Sequence, residues 1–215
     1  MASASCTLGR AGEAVPKLNL SLDPDGRPVE AFGVSLMVVG LAEIGDKTQI
    51  LSMILAARFQ RPVPIMSGIL CATLANHAAA GLAGTLFGSL LTGAWTRWIL
   101  AASFFAVAVW ALFPDKYEGS EKGVSRSGAF TSTLVAFFFA EIGDKTQIAT
   151  VGLAARFETF YAVVAGTTLG MMLANIPAVI LGDRLAERLP LKAIRYTAAV
   201  VFAALGVFTL SKVRM

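Results

Sequence analysis

Residues 42–58 read AEIGDKTQILSMILAAR and residues 140–156 read AEIGDKTQIATVGLAAR. The two stretches agree at 13 of 17 positions and begin 98 residues apart, which makes them copies of one unit and not a chance likeness. Fainter echoes extend the duplication: Gly68 matches Gly166, Leu74-Ala75-Asn76 resembles Leu173-Ala174-Asn175 after a one-residue shift, and Arg97-Trp98 parallels Arg195-Tyr196.

Each copy is embedded in apolar sequence. Of the 215 residues, 56% are hydrophobic and only 15% charged, far outside the balance of a soluble domain. Apolar stretches at 32–57, 63–91, 95–113, 129–155, 160–182 and 192–211 are each long enough to cross a hydrocarbon layer of about 30 Å as a helix. The expected fold is therefore an all-α polytopic membrane protein with six transmembrane helices. Residues 1–31 form a polar tail, 32–113 the first three-helix repeat, 114–128 a polar cytoplasmic linker, and 129–215 the second repeat. Three is an odd number, so the second repeat enters the bilayer upside down relative to the first, the inverted plan of many secondary transporters.

The remaining charge follows the membrane. Lys and Arg number 18 against 14 Asp and Glu and mostly flank the apolar stretches, which argues for topology and anionic lipid and against nucleic acid as a partner. Arg58, Arg61, Lys116, Lys122, Arg126, Arg184, Arg188 and Lys192 fall on one side and Arg97, Arg156, Lys212 and Arg214 on the other, so the linker is expected in the cytoplasm and both termini outside. Cys6 and Cys71 offer no disulfide and no thiolate cluster, and no Gly-rich nucleotide loop exists. The chain reads as a carrier and not an enzyme, without a resident cofactor. The tail lacks a secretory pattern, and its acids Glu13, Asp23, Asp25 and Glu30 argue against a transit peptide.

Glu43, Asp46 and Lys47 fall near the centre of the first span and Glu141, Asp144 and Lys145 near the centre of the fourth. A central Asp or Lys costs roughly 2.5–3.5 kcal/mol to insert, so six such groups cost on the order of 15 kcal/mol before pairing. On a continuous helix at 100° per residue, Glu43, Asp46 and Lys47 share one face. If the inverted copies face each other, Glu43, Asp46, Glu141 and Asp144 form a four-carboxylate metal site for a hard divalent cation, since zinc or copper would recruit His or Cys. Thr48, Gln49, Asn76, Thr146, Gln147 and Asn175 are candidate supporting ligands; the threonines, far round the helix, are alternatively backbone-bonded, and the asparagines alternatively interhelical. Lys47 and Lys145 serve either as internal charge partners or as gates. An emptied cluster would take up protons, so cation and proton compete for it.

His77 has Ile176 as its counterpart and reads as a packing residue. Gly81, Gly84, Gly88, Gly166 and Gly170 read as close-packing faces, Pro177 as a hinge or a kink, and Trp95, Trp98 and Trp110 as interfacial anchors.

The doubled Glu-Ile-Gly-Asp-Lys-Thr-Gln at 43–49 and 141–147 resembles the signature of the transmembrane protein 165 family, and the resemblance covers residues 32–211. It implies a cation/proton exchanger, with manganese export in bacterial relatives and Ca²⁺ and Mn²⁺ movement into the Golgi in eukaryotic ones. The family's acidic residues fall on Glu43, Asp46, Glu141 and Asp144. The expected function is export of a divalent cation, Mn²⁺ ahead of Ca²⁺, in exchange for protons by alternating access in a prokaryotic plasma membrane, with a homodimer as one arrangement. The alternatives are a lysine-exporter-like carrier of small solutes and an intramembrane aspartyl protease, the second disfavoured because Glu-Ile-Gly-Asp is not Gly-x-Gly-Asp.

Overall fold

The computed structural model describes residues 27–90, 94–113, 128–181 and 191–211. Residues 1–26 of the tail, linker residues 114–127, and several residues of the charge count that orients the chain (Arg184 and Arg188 among them) lie outside the described residues. The described residues form eight helices: α1 (Arg27–Glu43), α2 (Lys47–Phe59), α3 (Pro62–Leu90), α4 (Ala94–Ala111), α5 (Ala129–Glu141), α6 (Lys145–Phe157), α7 (Phe160–Leu181) and α8 (Leu191–Ser211). Three of them, α3, α7 and α8, are long and apolar enough to cross a membrane, and α1 with α2 makes a fourth when the bent pair is taken as one span.

The stretches 32–57 and 129–155, expected as continuous helices, are each broken in two, and the motif itself breaks them. In the first copy the N–H of Asp46 donates to the carbonyl of Glu43 at 3.1 Å; in the second the N–H of Asp144 donates to that of Glu141, also at 3.1 Å. Gly45 at φ 80° and Gly143 at φ 74° take the left-handed position such a turn needs. Asp46 and Asp144 follow in extended backbone as N-cap residues of α2 and α6. From one turn further on, the side-chain oxygens of Gln49 and Gln147 accept the N–H groups of Gly45 at 2.9 Å and Gly143 at 2.7 Å. The axes of α1 and α2 consequently differ by 69°. Both α2 and α6 then stop at residues 98 positions apart, Gln60 and Glu158, each in the left-handed region and each donating its N–H to the carbonyl four residues back.

The two broken pairs are exchanged between the halves. α1 lies along α7 and α5 along α3, and α6 lies on α3 as α2 does on α7. α1 runs parallel to α7 and α6 parallel to α3: Gly166 approaches Phe32 and Ser35 while Gly170 approaches Leu36 and Gly40, and Gly84 approaches Val151 while Gly88 approaches Ala155. α4 and α8 pack on each other at the flank. Pro177 leaves α7 unbroken from Phe160 to Leu181.

The interior combines apolar clusters, around Phe104 with Leu153 and Phe202 and around Leu51 with Ile65 and Phe137, with many buried polar side chains, and large apolar side chains face outward. Buried Ser35, Ser52, Thr73, Asn76, Ser132, Thr133, Thr150, Thr167 and Asn175 line the helix contacts, whereas Trp95, Phe139, Leu173, Ile180 and Val200 are exposed. Apolar surface outside and polar groups satisfied within suit a hydrocarbon surround. Contacts this close depend on missing side chains. A Cβ on Gly166 would lie 2.5 Å from the carbonyl oxygen of Phe32 and 2.9 Å from the Ser35 Cβ, whereas one on Gly33 meets nothing within 4 Å. Gly166→Val is expected to destabilise the protein by about 3 kcal/mol or more and Gly33→Ala by less than about 1 kcal/mol, read as loss of melting temperature in detergent. Equal melting of the two variants would show that the α1–α7 contact is loose.

Candidate cation site

The two breaks bring opposite repeats together at their charged residues. Lys47 Nζ lies 2.8 Å from Asp144 Oδ1, and Lys145 Nζ lies 2.9 Å from Asp46 Oδ1, a reciprocal pair across the duplication. Both aspartates are fully buried, the Lys145 side chain is 6% exposed, and Lys47 is 23% exposed, so one ion pair is wetter than its twin. Each lysine begins its helix directly after its own repeat's aspartate but neutralises the other's. Neither half can bury its motif without the other.

Glu43, Asp46 and Asp144 each place a carboxylate oxygen within 4.8 Å of the other two. All three are buried. The expected four-carboxylate cluster is thus a group of three in this structure. Glu141 stands outside it, accepting from the Thr73 hydroxyl at 2.9 Å and the Asn76 amide at 3.4 Å. Asn76 also donates to the carbonyl of Phe138 at 3.0 Å.

The single shared helix face expected for Glu43, Asp46 and Lys47 does not exist, because the helix ends at Glu43. The turn is what gathers them, and it also corrects the placing of the threonines. Thr48, expected far round from the acids, donates its hydroxyl to Glu43 Oε2, and Thr146 donates to Asp144 Oδ2 at 3.1 Å. Gln49, besides holding Gly45, donates to the carbonyl of Ala174 on α7 at 3.0 Å, while Gln147 holds Gly143. Asn175 accepts from the Ser52 hydroxyl at 2.8 Å and donates to the carbonyl of Met171 at 3.1 Å. His77 is buried and is not part of the carboxylate group.

Thr73 and Ser52 touch these residues and were not singled out by the sequence. Thr73 has methionine at its counterpart positions, 171 and 172, so the duplication does not flag it; its spacing of three from Asn76 on a helix is the signal that could have. Ser52 has the similar Thr150 as its counterpart.

With all six groups ionised, four carboxylates and two ammonium groups leave a formal charge of −2 in a buried place. The acceptor atoms gathered here are oxygens throughout, the donor set that a hard divalent cation takes, and two protons would balance the same charge. A many-helix bundle with an apolar exterior and a buried, under-neutralised carboxylate group made from two halves defines a membrane cation carrier.

Comparison with known proteins agrees. The family described as Divalent cation/proton antiporter GDT1 matches residues 31–119 and 129–215, and the chain belongs to that family, the one its doubled motif resembles. Among curated proteins it is 44% identical over 187 residues to the "Putative manganese exporter" of Vibrio cholerae, covering 86% of this chain and 93% of that protein. It is 27% identical over 223 residues to "GDT1-like protein 5" of Arabidopsis thaliana, covering 86% and 97%. A GDT1-like protein of Synechocystis is 28% identical over 199 residues, covering 80% and 92%. No solved structure matches. The protein is a multi-pass membrane protein that exchanges divalent cations for protons.

Removing one partner of a buried pair strands the other charge. Lys145→Ala and Asp46→Ala are each expected to cost about 3–5 kcal/mol, and the double variant clearly less than their sum. Lys47→Ala, at the wetter pair, should cost less than Lys145→Ala. Thermal melts of the four variants check this; additive losses for Lys145 and Asp46 would mean that the pair contributes no coupling.

Proposed function

We propose that this protein exports Mn²⁺ from the cytoplasm of a prokaryotic cell across the plasma membrane in exchange for protons, by alternating access. The observation that carries the reading is the convergence of Glu43 and Asp46 from one repeat with Asp144 from the other. These three are the ion's carboxylate ligands, with Glu141 as a fourth acid beside them, and the Thr48 and Thr146 hydroxyls, already bonded to Glu43 and Asp144, complete the near surroundings. The Vibrio cholerae relative's description favours manganese. Ca²⁺ is the second reading, favoured by the all-oxygen donor set.

The inverted arrangement of six spans is part of the proposal. α1 runs parallel to α7 and α6 runs parallel to α3, each along the second long helix of the other half. Consecutive spans of a membrane chain alternate in direction, so this parallel packing supports opposite insertion of the two halves, with the α4–α5 linker in the cytoplasm and both termini outside. α1 with α2, and α5 with α6, are then broken spans whose discontinuity lies at the ion, where irregular backbone is tolerated because it lines a site.

Lys47 and Lys145 act in this cycle as tethered cations. Their ammonium groups sit against Asp144 and Asp46, and an arriving divalent cation competes with them for the same oxygens. This keeps the buried acids neutralised between turnovers, when crowded bare carboxylates would otherwise destabilise the closed form. One divalent cation or two protons each bring the six-group site to zero formal charge, so exchange at that ratio moves no net charge.

In proteoliposomes with an imposed pH gradient, proton-driven Mn²⁺ flux is expected, and an imposed membrane potential should leave its rate unchanged. Glu43→Gln and Asp144→Asn should each lower it below roughly a tenth of wild type in correctly inserted protein. Full flux in both variants would remove the carboxylate group from the mechanism, and flux of a cationic amino acid in place of either metal would favour the solute carrier.

A further inference from the structure

The aspartate–lysine half of the motif obeys the duplication, each aspartate meeting the other repeat's lysine at 2.8 and 2.9 Å. The glutamate half does not. Glu43 joins the carboxylate group, is bonded by Thr48 from the next turn, and keeps Oε1 buried without a hydrogen-bond partner. Glu141 is outside the group and tied to α3 by Thr73 and Asn76. The asparagines are unequal in the complementary sense: Asn76 reaches Glu141, while Asn175, at the matching place on α7, is turned to the Ser52 hydroxyl and its own helix's Met171 carbonyl. The helices around them are unequal too. α6 packs on α4, whereas the matching pair, α2 and α8, is looser.

A chain of two related halves, nearly identical where the charged motif lies, that adopts an asymmetric arrangement there has a twin arrangement in which the halves exchange conformations. We propose that Asn76 and Asn175 are alternate docking residues for the two motif glutamates. In the state described here Glu141 is docked on Asn76 and Glu43 completes the group with Asp46 and Asp144. In the twin, Glu43 is docked on Asn175 and Glu141 completes the group with the same two aspartates. The proposal rests on the antiport reading, because exchanging the glutamate that closes the site is what turns the site from one membrane face to the other. Both asparagines thereby become positioning residues and not ligands of the ion.

The remaining contacts have places in the twin. Thr150, the counterpart of Ser52, now donates to the Thr146 carbonyl at 2.7 Å. In the twin it donates to Asn76, as Ser52 now does to Asn175. Thr73 has no such counterpart, only Met171 or Met172. The docked Glu141 therefore has one donor more than the docked Glu43 would have, and the described state is the more populated one when no cation is bound.

Double electron–electron resonance on the full chain in nanodiscs tests this, with spin labels at Ile54→Cys on α2 and Val200→Cys on α8 in a Cys6→Ser/Cys71→Ser background. Ile54 and Val200 are both exposed. Without cation, one longer distance should dominate. Asn76→Ala should raise the population at a shorter distance, and Asn175→Ala should deplete it, each by roughly tenfold in the ratio of the two, as expected for loss of a hydrogen bond to a charged group. The double variant should return toward wild type, and Asn76→Ser and Asn175→Ser should give the same signs with smaller shifts. Shifts of the same sign, no shift, or no cancellation in the double variant would overturn the proposal. The distances are read without metal, so opposed shifts in a protein that carries neither Mn²⁺ nor Ca²⁺ against protons would sink the antiport reading and leave the docking exchange standing; flux without opposed shifts would do the reverse.

Discussion

Everything in this molecule answers to one constraint: six ionisable groups stand inside a bundle whose outer surface is made for hydrocarbon. Left unpaired, each would cost several kcal/mol. The protein meets that cost by crossing the charges between its halves, Lys47 with Asp144 and Lys145 with Asp46. The crossing goes with close packing of α1 along α7 and of α5 along α3, where Gly166, Gly170 and Gly68 let the helices meet. It is also incomplete, because two positive charges face four negative ones, and the residual −2 is what makes the place a candidate cation site.

The seven-residue motif does two jobs that pull against each other. It must end a helix in the interior of the bundle, and it must leave its acids available. Ending the helix frees backbone groups that lipid cannot satisfy; a turn closed by Gly45 or Gly143, an N-cap aspartate and a glutamine reaching back from α2 or α6 supply what the lost helical bonds would have given. Motif positions are thus used twice, and that double use accounts for a sequence repeated without change across seven residues. A substitution of Gly143 would strain the left-handed position even though space is open around it.

Much of this was legible in the sequence, because the duplication is nearly undisguised. Two matching stretches 98 residues apart, with acids and lysines inside apolar runs, lead directly to a polytopic carrier with opposed motifs. The break was not legible by the same route. A helical wheel assumes a continuous helix, and Gly45 within an otherwise helical run reads as the far side of that helix. Only the combination of glycine in the left-handed region, aspartate as N-cap and glutamine three residues later shows it for a turn. For the same reason Thr48 was placed away from the acid it bonds. The separation of Glu141 from the other three could not be read at all, since the sequence of the motif is the same in both halves. It is set by Thr73 and Asn76 on another helix, where the halves have diverged.

The account stands on both repeats building one ion site. Equilibrium binding of Mn²⁺ to the purified full chain, followed by the loss of the free ion's electron paramagnetic resonance signal, tests that most directly when done on wild type, Glu43→Gln from the first repeat and Asp144→Asn from the second. One ion per chain, with affinity falling at least roughly tenfold in either variant, is the expected result. Two ions per chain, each lost by substitution in only its own repeat, would contradict the account.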